Sequence, residues 1–389
     1  MNANSSPASA ALRPASPAEL CDIVAGVANA GAKLRVRGGG SKDAIGAPDP
    51  AARVLDLSGF SGVTGYDPPE LVITAGTGTP LAVVEAMVAA EGQMLAFDPI
   101  DHGRLFGTAA GAATIGGIVA AGVSGPRRLS GGAVRDHLLG FEGVSGEGRF
   151  FKAGSRVVKN VTGFDLSKLV TGSWGRLVAL TSVTLKVVPA PAASTTMMIR
   201  GLDPATAIAG MSRAAGSPAG VAAAAHLPDW QGAPATLLRL EGFAESLPAR
   251  MRTLAAAIGD AGRPVPLADP DAQALWDGVR HATTLPADRP LWRVHAASGK
   301  AAAMLASLGE AAWILDWAGA LAWIASRADA AAIRRAAAAA GGHAMLVRGD
   351  ASLRAAVPAL HPPSQGVARL EASVRRAFDP AGVFDTGRF

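Results

Sequence analysis

The sequence is most informative at Lys33-Leu34-Arg35-Val36-Arg37-Gly38-Gly39-Gly40-Ser41-Lys42-Asp43. Apolar and basic residues alternate before the three glycines, which predicts a short strand that runs into a turn. Consecutive glycines can adopt backbone angles closed to other residues, so their N–H groups can line one concave surface. The segment therefore predicts a site for a phosphate or pyrophosphate, although the same residues also form ordinary flexible turns.

The elements around this loop argue against a Rossmann fold. A capping box with proline at the first helical position, Ser16-Pro17-Ala18-Glu19, predicts a helix before the loop. In a Rossmann fold the glycines themselves would open a helix. Here Pro48 and Pro50 follow the glycines, and the next segment, Arg53–Leu57, has the pattern of a strand. The loop thus belongs to a different kind of α/β unit.

A second unusual segment carries no charge between Arg104 and Arg127. By length it could cross a membrane, but Leu105–Pro126 contains six glycines, three hydroxyl residues and a proline. Its apolar content is mostly alanine, which provides too little hydrophobic drive for a span. Small residues at this density let the backbone approach a large flat group closely, or let helices pack tightly.

Composition excludes several functions. The 36 basic and 31 acidic residues form no basic run interleaved with aromatics, so we expect no nucleic-acid binding. Cys21 is the only cysteine, which rules out an internal disulfide or iron–sulfur cluster. No histidines have zinc-helix spacing, so no metal site is predicted. The N-terminus lacks the features of a signal peptide, and we expect a cytoplasmic protein without a membrane span.

The pattern of elements predicts an α+β protein in several parts. Residues 1–11 form a tail, 12–190 a first domain with subdomains 12–58 and 59–190, 191–365 a second domain, and 366–389 a terminal segment that returns to the first domain. Pro189 and Pro191 suggest a hinge. The second domain is predicted to hold an antiparallel sheet covered on one side by helices. Its strands are expected near 195–200, 220–227, 236–241, 291–296, 312–316, 321–325 and 343–348, and its helices near 204–215, 247–258, 300–308 and 329–340.

Taken in order, these motifs resemble one family: Arg-Val-Arg-Gly-Gly-Gly-Ser-Lys-Asp, Ala-Thr-Ile-Gly-Gly, Ser-Gly-Pro-Arg-Arg, Lys-Asn-Val-Thr-Gly-Phe-Asp-Leu and the terminal Phe-Asp-Pro-Ala-Gly-Val-Phe. It is the FAD-binding fold of vanillyl-alcohol oxidase and p-cresol methylhydroxylase (PCMH). Within it the chain is most similar to the FAD-binding subunits of bacterial glycolate oxidases. The resemblance implies a two-subdomain PCMH-type FAD-binding domain followed by an α+β cap domain.

The resemblance also implies which residues hold FAD. The glycine loop would wrap the pyrophosphate, the uncharged segment would face the flavin, and a later strand would contact the nucleotide. Because the loop lacks the histidine that some relatives bond to flavin, we expect non-covalent FAD. Lys159, Asn160 and Asp165 are further candidates that could equally be helix caps. The implied FAD-binding residues are Arg37, Gly38, Gly39, Gly40, Ser41, Lys42, Pro99, Ala113, Thr114, Gly116, Gly117, Ala120, Gly122, Ser124, Gly125, Pro126, Val178 and Leu180.

The chain departs from this family in three places. Relatives usually have Gly-Thr-Leu-Gly where this chain has Gly175-Arg176-Leu177-Val178, and Asn-Pro-Gly-Arg where it has Asp385-Thr386-Gly387-Arg388. The His-x-Gly-Asp-Gly-Asn-x-His-like stretch, whose histidines bind metal and help remove a proton, is missing. No catalytic residue is therefore assigned. His295 and His343 could act as bases, but histidines in predicted strands are more often core residues.

Three hypotheses follow. In the first, the chain is an FAD-binding subunit that works with a homologous catalytic flavoprotein subunit and an iron–sulfur subunit, and it meets the 2-hydroxy acid substrate only indirectly. Any membrane association would then be peripheral and made through the complex. In the second, it is a self-sufficient 2-hydroxy-acid dehydrogenase that uses His295 or His343 as base, with Arg127 or Arg128 on the carboxylate. In the third, it is a scaffold that has lost flavin.

Overall fold

The computed structural model describes residues 11–107, 111–155 and 164–389. Lys159 and Asn160 lie outside the described residues. The chain is α+β, as predicted, with two small sheet units followed by one large antiparallel sheet. We number strands and helices in chain order and refer to residues up to Pro189 as the first unit and to the large sheet with its helices as the cap.

The first unit begins with a helix and two parallel strands. Helix α1 starts where Ser16 Oγ accepts a hydrogen bond from Glu19 N at 3.2 Å, and its Leu20 and Val24 are buried against the strands. A strand then enters the glycine loop and pairs in parallel with the next. These elements are α1 (Pro17–Asn29), β1 (Leu34–Arg37) and β2 (Arg53–Asp56).

A five-stranded antiparallel sheet with the order β3-β4-β8-β6-β7 completes the first unit. Its core is aliphatic and encloses the helix formed by the uncharged segment. The elements are β3 (Val63–Asp67), β4 (Val72–Gly76), α2 (Leu81–Ala90), β5 (Gln93–Met94), α3 (Ile115–Ala121), α4 (Arg128–Gly131), α5 (Val134–His137), β6 (Leu138–Ser145), β7 (Phe150–Gly154), α6 (Leu166–Val170), β8 (Val178–Lys186) and β9 (Val188–Pro189). Among the described residues, none of the helices combines the length and apolar composition needed to cross a bilayer.

The cap is an eight-stranded antiparallel sheet with the order β13-β10-β12-β11-β15-β16-β14-β17. Helices α7, α8, α10 and α11 pack on one face, whereas α9 and residues of the first unit pack on the other. The elements are β10 (Ala193–Arg200), α7 (Pro204–Ala215), β11 (Val221–Trp230), β12 (Ala233–Gly242), α8 (Leu247–Ile258), β13 (Val265–Leu267), α9 (Asp269–His281), β14 (Leu291–His295), α10 (Ser298–Ala306), β15 (Ala312–Asp316), β16 (Leu321–Ala325), α11 (Ala330–Ala339) and β17 (His343–Arg348).

Several elements differ from the predictions. Strand β3 comes directly after the predicted subdomain boundary between residues 58 and 59, and it pairs with β4. Helix α9 was not predicted, although Ala272, Leu275, Trp276 and Val279 repeat at helical spacing and are all buried. Because α9 packs on the face of the cap sheet opposite the other helices, helices cover both faces of this sheet and not one side as predicted.

The C-terminal residues return to the first unit. After α12 (Ala351–Ala356), helix α13 (Gln365–Phe378) ends at Asp379. The two carboxylate oxygens of Asp379 accept hydrogen bonds at 2.8 Å from the N–H groups of Val383 and Phe384. Leu34 N in β1 then donates to Val383 O at 2.8 Å. A buried carboxylate thus shapes the turn that carries the last residues to the glycine loop.

We predict that Asp379→Ala lowers the free energy of unfolding by about 2–4 kcal/mol, because two buried N–H groups lose their charged acceptor. The free energy of unfolding of Asp379→Asn should lie between those of the parent and Asp379→Ala, since an amide has only one acceptor oxygen. Denaturant unfolding measures both changes. Asp260→Ala, at an exposed position, is the control and should change stability by less than about 0.5 kcal/mol. Equal stability of the Asp379→Ala variant and the parent would refute the assigned role.

Candidate functional site

The glycine loop is held close to the backbone of a second segment. A Cβ on Gly39 would lie 2.0 Å from Ala112 O, and a Cβ on Gly38 would lie 2.4 Å from Thr114 Oγ1. Gly40 has φ +84°, in the region that favours glycine. Gly38 and Gly39 are therefore required because a side chain would not fit, and Gly40 is required because of its backbone angle.

Helix α3 forms the opposite side. Thr114 caps it, with Oγ1 accepting from Gly117 N at 3.3 Å. A Cβ on Gly116 would lie 2.4 Å from Thr77 Cβ, so the helix can rest directly on the start of the neighbouring loop. Thr77 is itself fixed by donating to Leu180 O at 2.7 Å. The small residues of the uncharged segment thus serve close packing of a short helix, and they also leave one side open to the cleft.

Between the loop and α3 lies a cleft with about 1040 Å³ of empty space, part of it open to solvent. It is lined by the following residues: Leu34, Arg35, Val36, Arg37, Gly38, Gly39, Gly40, Ser41, Lys42, Asp43, Leu57, Thr77, Thr114, Gly116, Gly117, Ala120, Ala121, Trp174, Gly175, Arg176, Val178, Leu180, Phe384, Asp385, Thr386, Arg388 and Phe389.

Twelve of the implied FAD-binding residues line this cleft: Arg37, Gly38, Gly39, Gly40, Ser41, Lys42, Thr114, Gly116, Gly117, Ala120, Val178 and Leu180. The structure places six others outside its lining: Pro99, Ala113, Gly122, Ser124, Gly125 and Pro126. Ser124 Oγ accepts from Val134 N, and Gly125 O accepts from Trp317 Nε1 of the cap. These two residues contact neighbouring elements at the junction with the cap, and an FAD contact there stays a prediction. Asp165, the further candidate, caps α6 by accepting from Lys168 N.

Sequence reasoning missed two parts of the lining. Trp174 and Arg176 come from the turn before β8, and Arg388 and Phe389 come from the C-terminus. The ring centroids of Trp174 and Phe389 are 4.7 Å apart. Both parts lie in or beside the two segments where the chain departs from the sequence pattern of the family. Those departures were the feature of the sequence that could have indicated a role in the cleft.

The cleft is positively charged. Arg35 and Arg37 are ion-paired with Asp43, at 3.6 and 2.8 Å. By contrast, neither Lys42 nor Arg176 has an ion pair within 4.0 Å in the described part of the chain. These two cations and the glycine loop beside them form a surface suited to a phosphate-bearing ligand.

Lys42 is the most perturbed of these cations. Burial lowers its pKa to about 8, and the nearby Asp101 only partly opposes this shift. Its Nζ lies 3.4 Å from Ser41 Oγ, its one hydrogen-bond partner among the described residues. A buried ammonium without an anion is costly. A phosphate bound in the cleft would supply the missing negative charge.

The C-terminal segment braces the loop from behind. Arg388, buried, donates from Nη2 to Lys42 O at 2.9 Å and to Asp43 O at 2.6 Å. Ala47 N donates in turn to Arg388 O at 2.9 Å. These bonds fix the carbonyls of Lys42 and Asp43 on the C-terminal segment.

The residues proposed for a self-sufficient enzyme differ in their surroundings. Arg127 is neutralised by Glu241 at 2.7 Å and Asp98 at 3.6 Å, so it is not free to bind a carboxylate. His295 lies beside Arg293, with Arg293 Nη1 2.7 Å from His295 Nε2. His343 is exposed, which corrects the interpretation of this residue as part of the core. No group of three or more potential metal ligands is assembled within 11–107, 111–155 and 164–389.

Comparison with known proteins agrees with this geometry. Residues 8–154 match the family described as FAD binding domain. The glycolate oxidase subunit GlcE of Escherichia coli (strain K12) is 44% identical over 161 residues, which cover 41% of this chain and 44% of that protein. A D-lactate dehydrogenase of Anaerostipes hadrus is 33% identical over 146 residues, covering 38% of this chain and 29% of that protein. The chain therefore matches less than half the length of these relatives.

A solved structure shows the same fold over nearly the whole chain. An alkyldihydroxyacetonephosphate synthase superposes with a TM-score of 0.68, covering 96% of this chain and 75% of that one, at 15% sequence identity. At this identity the likeness concerns the fold alone. Together with the family match over residues 8–154, it confirms the predicted α+β fold and FAD as the cofactor.

The described residues fit FAD. The glycines let the loop and α3 approach each other without a side chain between them, and Lys42 and Arg176, which have no ion pair among the described residues, line the cleft. The glycine loop and Lys42 would hold the pyrophosphate, and the apolar lining residues Ala120, Ala121 and Val178 would border the rings. When bound, FAD supplies the acceptor for a hydride.

We predict that Gly39→Ala reduces flavin retention at least about tenfold, because its methyl group would displace the Ala112 carbonyl and deform the loop. Flavin per protein after gel filtration measures this. Gly26→Ala is the matched control, since a Cβ there would meet nothing within 4 Å. A Gly39→Ala protein with full flavin content would contradict the position given to the pyrophosphate.

We predict that flavin-free protein gains stability as pH rises from about 8 to 10.5. Over this range unfolded Lys42 still carries its proton while folded Lys42 has lost it, so the unfolded state binds more protons. The gain amounts to at most about 3 kcal/mol. Lys42→Met should remove it. Denaturant unfolding at several pH values gives the difference between the two proteins, and parallel curves would refute the burial of an unpaired ammonium.

Proposed function

We propose that this chain is the FAD-binding subunit of a complex that oxidises glycolate or a similar 2-hydroxy acid. It holds FAD non-covalently and works with a homologous catalytic flavoprotein subunit and an iron–sulfur subunit. The observation that carries the proposal is the glycine-lined cleft with two unpaired cations, in a chain whose first unit resembles a glycolate oxidase subunit.

The residues of the chain suit binding better than turnover. The glycine loop and Lys42 supply amides and a positive charge for the pyrophosphate, and Arg388 keeps the loop in shape. Oxidising a 2-hydroxy acid also needs a base near the hydroxyl group. No histidine is among the residues that line the cleft. A separate catalytic subunit would supply that base.

The cysteine content bears on the route of electrons. An iron–sulfur cluster needs about four thiolates, and this chain has Cys21 alone. Electrons leaving the flavin therefore require another chain or a diffusible acceptor. We propose that the complex is cytoplasmic and that any contact with the inner face of the membrane is made by its partners.

The self-sufficient dehydrogenase remains a second candidate because of one contact, the pairing of Arg293 with His295 in the cap. That pair offers a cation for the carboxylate of a substrate, whereas the pKa of His295, lowered to about 2 by burial and by Arg293, weakens its imidazole as a base. The scaffold hypothesis has no structural feature in its favour, since the cleft retains the features expected of a cofactor site.

We predict that the full chain purifies as a yellow protein whose flavin is released by acid. Anaerobic glycolate should leave this flavin oxidised, because the base is on another subunit. Absorbance spectra before and after glycolate measure both properties. Bleaching by glycolate would favour the hypothesis of a self-sufficient enzyme. A colourless protein that does not take up added FAD would favour the hypothesis of a scaffold that has lost flavin.

Affinity purification of the tagged chain from its native cell tests the partners. A second flavoprotein and an iron–sulfur protein should co-purify in fixed proportion, and glycolate should bleach the flavin of this assembly. The Asp260→Ala variant serves as a control for a neutral surface change. Recovery of the chain alone, still yellow, would refute the subunit proposal while leaving the FAD site intact.

A further inference from the structure

A second basic site lies on the cap, apart from the residues that line the cleft. We define the cap cluster as Arg128, Arg293, His295, Trp317 and His343. Arg293 and His295 are two residues apart on β14, so their side chains leave the same face of the sheet. His343 on β17 is directly paired with His295. Trp317 follows β15, and Arg128 comes from α4 of the first unit.

This face of the sheet turns toward the first unit. Trp317 Nε1 donates to Gly125 O of the first unit at 2.9 Å. The guanidinium carbon of Arg128 lies 4.3 Å from the centre of the Trp317 ring, and that of Arg293 lies 4.9 Å from it. One indole thus contacts two cations that belong to different parts of the fold.

Arg293 is buried without a matching anion. It is 8% exposed, and no carboxylate of the described residues lies within 4.0 Å of its guanidinium. Its Nη1 lies 2.7 Å from His295 Nε2, and its Nε has no hydrogen-bond partner. Burial and the neighbouring charge of Arg128 lower its pKa to about 9. A buried guanidinium in this state is an unfavourable arrangement unless an anion joins it.

Two partly buried arginines of the protein are satisfied differently. Arg127 and Arg239 share the carboxylates of Asp98 and Glu241 at the junction of the cap with the first unit. The fold can therefore neutralise a partly buried arginine with its own carboxylates. The absence of such a carboxylate at Arg293 indicates a group that must stay free for a ligand.

Asp316 is the acid whose charge raises the pKa of Arg293, but it does not neutralise the cap cluster. Asp316 is buried, and burial raises the pKa of its carboxyl to about 7. Its Oδ1 accepts a hydrogen bond from Trp317 N at 2.7 Å. Asp316 lies beyond ion-pair distance of Arg293, and one carboxyl group cannot balance two guanidinium groups.

The histidines add hydrogen-bonding capacity without charge. His295 Nε2 accepts from Arg293, so in its neutral form His295 carries its proton on Nδ1. Burial and the positive charge of Arg293 lower the pKa of His295 to about 2, which keeps it neutral at physiological pH. Its ring stacks on His343 with centroids 4.5 Å apart. His343 and Arg128 are exposed, so the cluster opens to solvent on that side.

We propose that the cap cluster binds the carboxylate of a small organic acid, with Arg293 as the principal anchor, Arg128 as a second cation and His295 Nδ1–H as a neutral donor. Two guanidinium groups and a neutral N–H match the acceptor oxygens of one carboxylate. That the acid is a 2-hydroxy acid rests on the proposed function. The carboxylate site itself rests only on the contacts of Arg293 and its neighbours.

The site lies within electrostatic reach of the cleft. His102 is buried, and the positive charges of both Lys42 and Arg293 help to hold its pKa well below the usual value. His102 therefore senses the charge of both the loop that would hold the cofactor and the cap cluster. A carboxylate anchored at Arg293 would approach the junction of the two parts of the fold.

Calorimetric titration of the full chain with oxalate tests this proposal. Oxalate carries two carboxylates and no hydrogen on carbon, so flavin cannot oxidise it. Sodium chloride of equal ionic strength is the reference. We expect saturable binding of oxalate by the parent protein and affinity reduced at least about tenfold in Arg293→Met. Arg293→Lys should recover part of the loss.

Arg200→Met is the matched control, because Arg200 also lies over an indole, 5.0 Å from the Trp230 ring. It should bind oxalate like the parent. If Arg293→Met loses its cooperative thermal transition, Arg128→Met decides, since Arg128 is exposed. No saturable binding by the parent, or unchanged affinity in the folded cap-cluster variants, overturns the proposal.

Flavin content measured on the same samples separates the two proposals. A colourless protein that binds oxalate through Arg293 keeps the carboxylate site while the proposed function fails. A yellow protein that does not bind oxalate retains the proposed function and loses this inference.

Discussion

The close approach of two backbone segments is the constraint on which the cleft depends. Gly39 meets Ala112 O at a distance that no Cβ would permit. Because this contact brings the glycine loop against the start of α3, it sets the width of the cleft between them. Arg388 then ties the loop carbonyls from the other side, so the C-terminus becomes part of the same arrangement. Loop, helix and terminal segment are interdependent.

The distribution of charge distinguishes structural cations from those kept for ligands. Arg127 and Arg239 are neutralised by acids at the junction of the cap with the first unit. Lys42 and Arg293 are buried among neighbours that provide no ion pair. Burial without compensation costs stability, and it persists where an incoming anion repays that cost. We propose that the two positions mark one site for a phosphate-bearing cofactor and a second for a carboxylate.

Much of the fold could be predicted because its patterns are local. Strands β15, β16 and β17 begin and end where the sequence pattern places them. Helix α9 was missed although its apolar residues have the spacing of an amphipathic helix and a proline lies in its first turn. The pairing of short strands such as β5 and β9 depends on which segments meet in space, and periodicity carries no information on that.

The candidate site likewise has features that the sequence predicts and features that only the tertiary structure determines. The glycine loop was assigned to an anion from sequence alone, because the backbone freedom of glycine is a property of the residue itself. The tertiary structure alone decided that Arg388, 346 residues from Lys42, would brace that loop. It also decided that Arg293 would be buried without a carboxylate, since compensation depends on which side chains come within ion-pair distance. Conformational preference is written into each residue, whereas proximity exists only after the chain has folded.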